Sequence, residues 1–338
     1  MQNTSGRFFI PIFPRFFITS LYIIRLKMVK ILITGGAGFV PSSLADRLLL
    51  DPNNFVVAVD NFHTGSKDNL PHPLPDNYRF YECDVNDFAS IGAIMNEHHF
   101  DYVFHYAAVV GVLRTLDNPV SVLNDIEGIK NVLTLSKDTG VKRVFYSSSS
   151  EVYGEPVHLP QNELTTPLNS RLPYAIVKNV GEAFCRSYSQ EFGLDYTIFR
   201  FFNTYGPKQS VDFVMSKFIR QALNNEAITI YGDGSQTRTF CYIDDNLDAC
   251  INAFKENKVV NDVVNIGNDE ITEIVDLAKV IIRLTNSKSE IIHLPPLRDG
   301  DMTRRQPDIT KMKELLNRPL TSLEDGIMNV LKLGNFNL

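Results

Sequence analysis

The stretch "KILITGGAGFV" at residues 30–40 constrains the fold more than any other part of this chain. An apolar strand runs into Gly35, Gly36 and Gly38, and an apparent helix, "SSLADRLLL", follows. Glycines at such a turn let the backbone reverse sharply and approach a ligand closely. The helix start then offers free N–H groups and a partial positive charge, a combination that suits a pyrophosphate. A glycine motif alone is weak, but here the strand before it and the helix after it are both present.

The same rhythm continues. "FVVAVD", "YRFYECDV", "FDYVFHYAA", "KRVFYSSSS" and "LDYTIFRFFN" read as further strands, with helical segments at 42–50, 87–97, 119–137 and 174–192 between them. Strands alternating with helices imply right-handed crossovers and a parallel sheet. Their Val-, Ile- and Phe-rich runs suit strands covered on both faces. The expectation is an α/β chain: a Rossmann-like, doubly wound parallel sheet over residues 28–205. After residue 205 helical stretches (213–224, 244–256, 271–285) alternate with short strands such as "ITIYG", "VVNIG" and "EIIHLP". Residues 206–332 read as a smaller C-terminal α/β lobe that binds substrate.

Asp60 ends the second strand about twenty residues beyond the glycines, where a carboxylate can accept from both ribose hydroxyls of NAD and repel a 2′-phosphate. NAD is therefore the expected cofactor. Phe39 and Asn61 flank these positions, and Asp84 and Val85 follow the third strand, where an adenine can sit. Pro41 stands where a third small residue is usual, in a first helical turn that tolerates proline.

"YAIVK" places Tyr174 and Lys178 four residues apart on one helix face. An ammonium and the positive charge of oxidised nicotinamide together lower a phenol's pKa, so that it can take a hydroxyl proton while hydride leaves the same carbon. Ser149 falls at the C-terminal end of the fifth strand, where ligands bind in open α/β sheets. Ser150 and Glu151 follow it, whereas Ser147 and Ser148 read as the strand's own end, satisfying backbone groups.

The composition narrows the partners. Among 338 residues, 33 Lys and Arg against 39 Asp and Glu give a net charge of −6, with no basic block to hold nucleic acid. Cys83, Cys185, Cys241 and Cys250 form no CxxC pair and no zinc spacing, so a reducing, cytoplasmic setting and no metal are expected. "RFFIPIFPRFFITSLYII" (7–24) is apolar but broken by two prolines and Arg15. That is short for a membrane helix, which needs about 20 apolar residues. A start at Met28, a signal anchor and a disordered tail all stay open, and residues 1–27 are set outside the fold.

Together "TGGAGF", "SSSSEVYG", "YAIVK", "RFFNTYGP" and "YGDGSQTRTFCYIDD" resemble the extended short-chain dehydrogenase/reductases of the NAD-dependent nucleotide-sugar epimerase/dehydratase group, over about residues 28–332. The resemblance implies tightly bound NAD, oxidation of a hexose at C4, and return of the hydride after a change in the ring. It also implies a homodimer paired through the helices near 119–137 and 174–192. The run Ser149-Ser150-Glu151-Val152-Tyr153-Gly154 is similar to that of UDP-glucuronate decarboxylases, and "MTRRQPDI" resembles their Arg-Lys-Pro-Asp motif. By that likeness Ser150, Glu151 and Arg305 are catalytic, with Arg305 also facing the substrate carboxylate. Arg238 in "GSQTRTF" clamps the diphosphate, Asn203 bonds it, and Tyr231 packs near the nucleotide. Arg304 reads as a solvated loop residue, and Arg114 as either a carboxylate contact or a surface arginine.

Three alternatives remain beside decarboxylation. A UDP-sugar 4-epimerase, on a uronate or an N-acetylhexosamine, needs little beyond Ser149, Tyr174 and Lys178. A 4,6-dehydratase carries an Asp where this chain has Ser150. A silent NAD-binding regulator has no use for all three catalytic side chains. Asp125, where an asparagine is usual, and the segment "HYAAVVGVLRT" depart from the decarboxylase pattern.

Overall fold

A computed structural model describes residues 28–111, 115, 117–296 and 304–334. Its centre is a seven-stranded, wholly parallel sheet: β1 (Val29–Thr34), β2 (Asn54–Asp60), β3 (Tyr78–Glu82), β4 (Tyr102–His105), β5 (Arg143–Ser149), β6 (Asp195–Phe201) and a late strand, Asp262–Ile266, in the order β3-β2-β1-β4-β5-β6 and then the late strand. The order reverses between β1 and β4, which opens a crevice at their C-terminal ends, the usual ligand position in such sheets.

Helices cover both faces. On one side lie α1 (Phe39–Leu48) and, later in the chain, α7 (Ile243–Lys255). On the other lie α2 (Phe88–His98), α3 (Pro119–Leu123), α4 (Asp125–Thr139) and α5 (Pro173–Phe192). The buried apolar residues accordingly split into two layers. Ile31, Ile33 and Phe145 face one, and Leu32, Val144 and Ile198 the other. Strands buried on both faces are why the sequence shows unbroken apolar runs.

The remaining helices, α6 (Val214–Leu223), α8 (Ile274–Thr285), α9 (Thr310–Leu315) and α10 (Leu323–Leu333), join short strand pairs beyond the sheet. Ile291–Leu294 pairs with Ile228–Tyr231, and Thr272–Glu273 with Thr237–Arg238. "VVNIG" does not belong with these. Its strand, Asp262–Ile266, pairs residue by residue with Thr197–Phe201 of β6 and closes the main sheet. The chain thus leaves the sheet after β6, returns for one strand, and leaves again.

Local chemistry sets the ends. α1 begins at Phe39, three residues earlier than its sequence pattern suggests, because Gly38 already serves as its extended N-cap. The helix expected over 119–137 is interrupted at Asn124. Gly181 brings α5 against the sheet: a Cβ there would collide with the Tyr146 phenol on β5.

Candidate active site

A cleft of about 520 Å³ opens at the C-terminal ends of the strands, within the range of small-molecule sites. One end is the glycine turn. Gly35 has φ +71°, and a Cβ on it would lie 2.9 Å from the Ala107 backbone. Gly35, Gly38 and Phe39 line the cleft, whereas Gly36 packs behind them against Ala58. α1 starts without a side-chain cap and without an acidic residue in its first turn. Its first N–H groups, on Phe39 and Val40, therefore suit an anion. Pro41 removes one donor from that turn.

Asp60 does more here than its sequence position suggests. Its Oδ2 accepts from the Ala37 N–H at 3.0 Å and its Oδ1 from the Phe62 N–H at 2.7 Å. The carboxylate thus fixes the glycine loop to the end of β2, and each oxygen keeps a lone pair for a ribose hydroxyl. Burial raises its pKa against these two hydrogen bonds. Asn61 bonds Asp84 at 3.2 Å, and both line the cleft with Val85. The turn, the open helix start and the acid are the features a dinucleotide requires, and the residues fit NAD.

The other end gathers Ser149, Ser150, Glu151, Tyr174, Lys178, Asn203 and Arg305. The serines at the end of β5 meet successive residues of one face of α5. The Ser147 carbonyl accepts from Lys178 Nζ at 2.7 Å. Ser148 donates to Glu182 at 2.7 Å. Their partners are side chains of α5 rather than the backbone groups anticipated. Ser149 bonds the Tyr174 phenol and also accepts the Glu151 N–H at 3.2 Å, which starts the tight turn Ser150–Tyr153. On that turn Glu151 meets Arg305, whose Nη2 donates to Oε1 at 2.5 Å. The second carboxylate oxygen and the arginine Nε are buried with no protein partner.

Lys178 is buried, which pulls its pKa down to about 8 against the opposing charge of Asp125. Asp125 itself accepts the Val109 N–H at 2.8 Å, and burial raises its pKa. The Tyr174 pKa is raised rather than lowered. Burial is the main cause and the Glu151 charge adds to it, with the Ser149 hydrogen bond opposing. The Lys178 ammonium is bound to Ser147 and sits 5.7 Å from the Tyr174 ring centre, so the chain alone does not supply the lowering expected from the sequence. The positive charge of an oxidised nicotinamide is the remaining source.

Asn203, at φ +35°, donates its amide to the Thr239 carbonyl at 3.0 Å. Tyr231 and Arg238 are not brought to the cleft wall. Tyr231 stacks near Lys217, and Arg238 is buried, with Nη1 donating to the Thr237 carbonyl. Arg304 is exposed and bridges backbone to Thr237. Arg114 and residues 1–27 lie outside the described residues.

Two supporting residues were missed by the sequence reading. Glu182 continues the Tyr174–Lys178 face by another four residues, a periodic signal that was available. Arg200, a charged residue inside the apolar run "TIFRFF", was another. Among the described residues, all four cysteines are free and buried, no three His, Cys, Asp or Glu side chains gather as for a metal, and no helix is long and apolar enough to cross a membrane.

Glycine turn, acid, and a Ser-Tyr-Lys set at the strand ends define a nucleotide-cofactor enzyme of the short-chain dehydrogenase type. Residues 31–267 match the NAD dependent epimerase/dehydratase family, and the chain belongs to it; NAD is its cofactor. It is 38% identical over 312 residues to UDP-glucuronic acid decarboxylase 1 of Danio rerio, covering 90% of this chain and 72% of that protein. It is 35% identical to UDP-N-acetyl-alpha-D-glucosaminuronate decarboxylase of Bacillus cytotoxicus, covering 90% of this chain and 97% of that protein. Among solved structures, UDP-glucose 4-epimerase of Thermotoga maritima superposes with a TM-score of 0.85 at 34% identity, covering 90% and 98% of the two chains. The likeness to nucleotide-sugar epimerases and decarboxylases expected from the motifs is borne out.

Proposed function

We propose that this protein decarboxylates UDP-glucuronate to UDP-xylose through a transient 4-keto sugar. The observation that carries this reading is the partly buried Glu151–Arg305 pair on the turn that directly follows Ser149. A 4-epimerase has no need of it.

NAD, held by the glycine turn at Gly35 and Gly38, by Asp60 and by Lys178, would supply a hydride acceptor for C4 and the same hydride for its return. Tyr174 takes the O4 proton, and Ser149 holds the hydroxyl and the phenol in line. Lys178 would hold the cofactor ribose, and the positive charge of the bound nicotinamide would favour the ionised phenol. The 4-ketone makes the sugar a β-keto acid. The C5–C6 bond then breaks, its electron pair moves to O4 as an enolate, and C6 leaves as neutral CO₂. Arg305 orients the departing carboxylate. Glu151 places a second negative charge beside it, a repulsion that ends when neutral CO₂ forms. A proton taken up at C5 restores the ketone, and hydride return with the Tyr174 proton gives the product. The sum is one proton consumed and one CO₂ released, with no net redox change. Asn203 and Arg238 are assigned to the diphosphate and Tyr231 to the base, on the likeness of "RFFNTYGP" and "YGDGSQTRTF" to the family's motifs.

The likeness to solved UDP-glucose 4-epimerase favours a second reading, 4-epimerisation with the carboxylate retained. Proton NMR of the protein with NAD and UDP-glucuronate separates the two. UDP-xylose with CO₂ supports decarboxylation, whereas UDP-galacturonate refutes it in favour of epimerisation. In the decarboxylase, Glu151→Gln keeps C4 oxidation and loses CO₂ release.

We further infer a cytoplasmic homodimer. Val120 and Leu123 on α3 and Ile176 and Phe192 on α5 are exposed, which supports pairing through this face. The free buried thiols suit a reducing compartment.

A further inference from the structure

Beneath the cleft a continuous polar chain runs through the protein interior. Glu182, fully buried, accepts from Ser148 at 2.7 Å, from Arg200 Nε at 2.8 Å and Nη2 at 2.7 Å, and from Arg186 at 3.0 Å. The third arm of Arg200, Nη1, donates to the Tyr153 hydroxyl at 2.8 Å. Tyr153 in turn donates to Asn265 Oδ1 at 2.7 Å. The Asn265 amide donates to the Gln161 carbonyl at 2.9 Å and the Asp308 carbonyl at 3.2 Å. Gln161 is held against 306–308 from both sides: its N–H donates to the Gln306 carbonyl at 2.7 Å, and its carbonyl accepts the Asp308 N–H at 2.8 Å. Asn162 adds a bond to the Asp308 carboxylate at 3.0 Å.

The chain passes beside both members of the Glu151–Arg305 pair in sequence, without bonding either side chain. Tyr153 closes the four-residue turn that carries Glu151. The segment 306–308 directly follows Arg305. Asn265 stands where the two supports meet, on the strand that returns to the main sheet.

We propose that Tyr153 and Asn265 are positioning residues that hold Glu151 and Arg305 in register and thereby commit the 4-keto sugar to loss of CO₂. Neither lines the cleft, and both act through the pair. The inference rests on the decarboxylase reading and assigns to the buried network the control of what happens after C4 oxidation. Tyr153→Phe breaks the junction at one atom. It leaves Ser149, Tyr174 and Lys178 with the same partners.

The test compares wild type, Tyr153→Phe and Asn162→Ala with NAD and UDP-glucuronate. The first hydride removal is read from reduced-nicotinamide absorbance in a single turnover, and CO₂ and nucleotide-sugar products are quantified alongside KM. Asn162→Ala loosens the 306–308 side, along with the turn at Leu164 and Thr165 that the same side chain caps, and serves if Tyr153→Phe folds poorly. For Tyr153→Phe the expected result is unchanged KM and hydride removal, with CO₂ release lowered by on the order of 10- to 100-fold, the scale of an ångström's misplacement. Un-decarboxylated 4-keto or 4-epimerised uronate should accumulate in its place. Asn162→Ala should shift the products the same way, by less. If hydride removal and CO₂ release fall together, or neither changes, the network is merely structural and the inference is overturned. If wild type releases no CO₂ at all, the decarboxylase reading itself is overturned and the inference goes with it.

Discussion

Glu182→Gln isolates the energetics of the network under the site. The carboxylate accepts four hydrogen bonds, three of them from arginine. A glutamine presents one oxygen and one NH₂, so whichever way it turns, an Arg200 N–H meets another donor. Arg186 is 43% exposed and can turn to water, but Arg200 is 2% exposed and cannot. Breaking a buried pair in this way costs about 3–5 kcal/mol. At roughly 2 °C per kcal/mol for a large domain, Tm should fall by roughly 6–10 °C. The pH dependence gives a second reading of the same charge. Burial alone would raise the Glu182 pKa, yet the Arg200 hydrogen bonds and charge, with Ser148, hold it below the usual range. A depressed carboxylate stabilises the fold above its unfolded pKa and loses that contribution as pH falls through the folded value. The wild-type and variant melting curves should therefore converge below about pH 4. Thermal unfolding followed by circular dichroism across pH reads both effects. A Tm change within about 1 °C of zero, or a gap that stays constant with pH, would refute the reasoning.

Tyr174→Phe should lower turnover by about 10²–10⁴-fold, the usual contribution of a general acid–base group, while NAD remains bound; near-normal product formation would remove Tyr174 from the chemistry. Asp60→Ala should weaken NAD binding and, if Asp60 is the ribose acid its position suggests, reduce the preference over NADP, since the carboxylate also organises the glycine loop; equilibrium titration with each cofactor decides it. Lys178 titrates at about 8 in the folded chain, below its unfolded value, so the unfolded state binds more protons between these values and stability rises with pH there. The stability difference between Lys178→Met and wild type, measured without cofactor by denaturant unfolding, should move in favour of wild type as pH rises from about 8 to about 10.

Much of this architecture was legible from residues. Strands covered on both faces have to be apolar throughout, so β1 to β6 stood out, and the glycine turn announced its own strand and helix. The strand Asp262–Ile266 did not, because a five-residue strand with three apolar side chains cannot say which sheet it will join. Its partner is β6, over sixty residues away. The gathering of Ser149, Tyr174 and Lys178 in one cleft was readable because Tyr174 and Lys178 share a helix face and Ser149 ends a strand. The roles of Ser147 and Ser148 were not, since their partners lie on α5. The direction of the Tyr174 pKa in the chain without cofactor was not legible either, for a related reason. Sequence spacing places a lysine near the phenol, but only the fold shows that the ammonium is already bound to a carbonyl and that Glu151 faces the same ring.

The return of the chain to the sheet at Asp262–Ile266 has a mechanical consequence. A lobe hung on a single linker swings like a door. Here the C-terminal lobe is laced to the sheet before and after that strand, and Asn265 within it ties down the segment beside Arg305. Such a seam opens little, so exchange must pass along loop edges rather than through a parting of the two halves. For a catalyst that lends out a hydride and takes it back, a seam that stays shut keeps the lender in place between one sugar and the next.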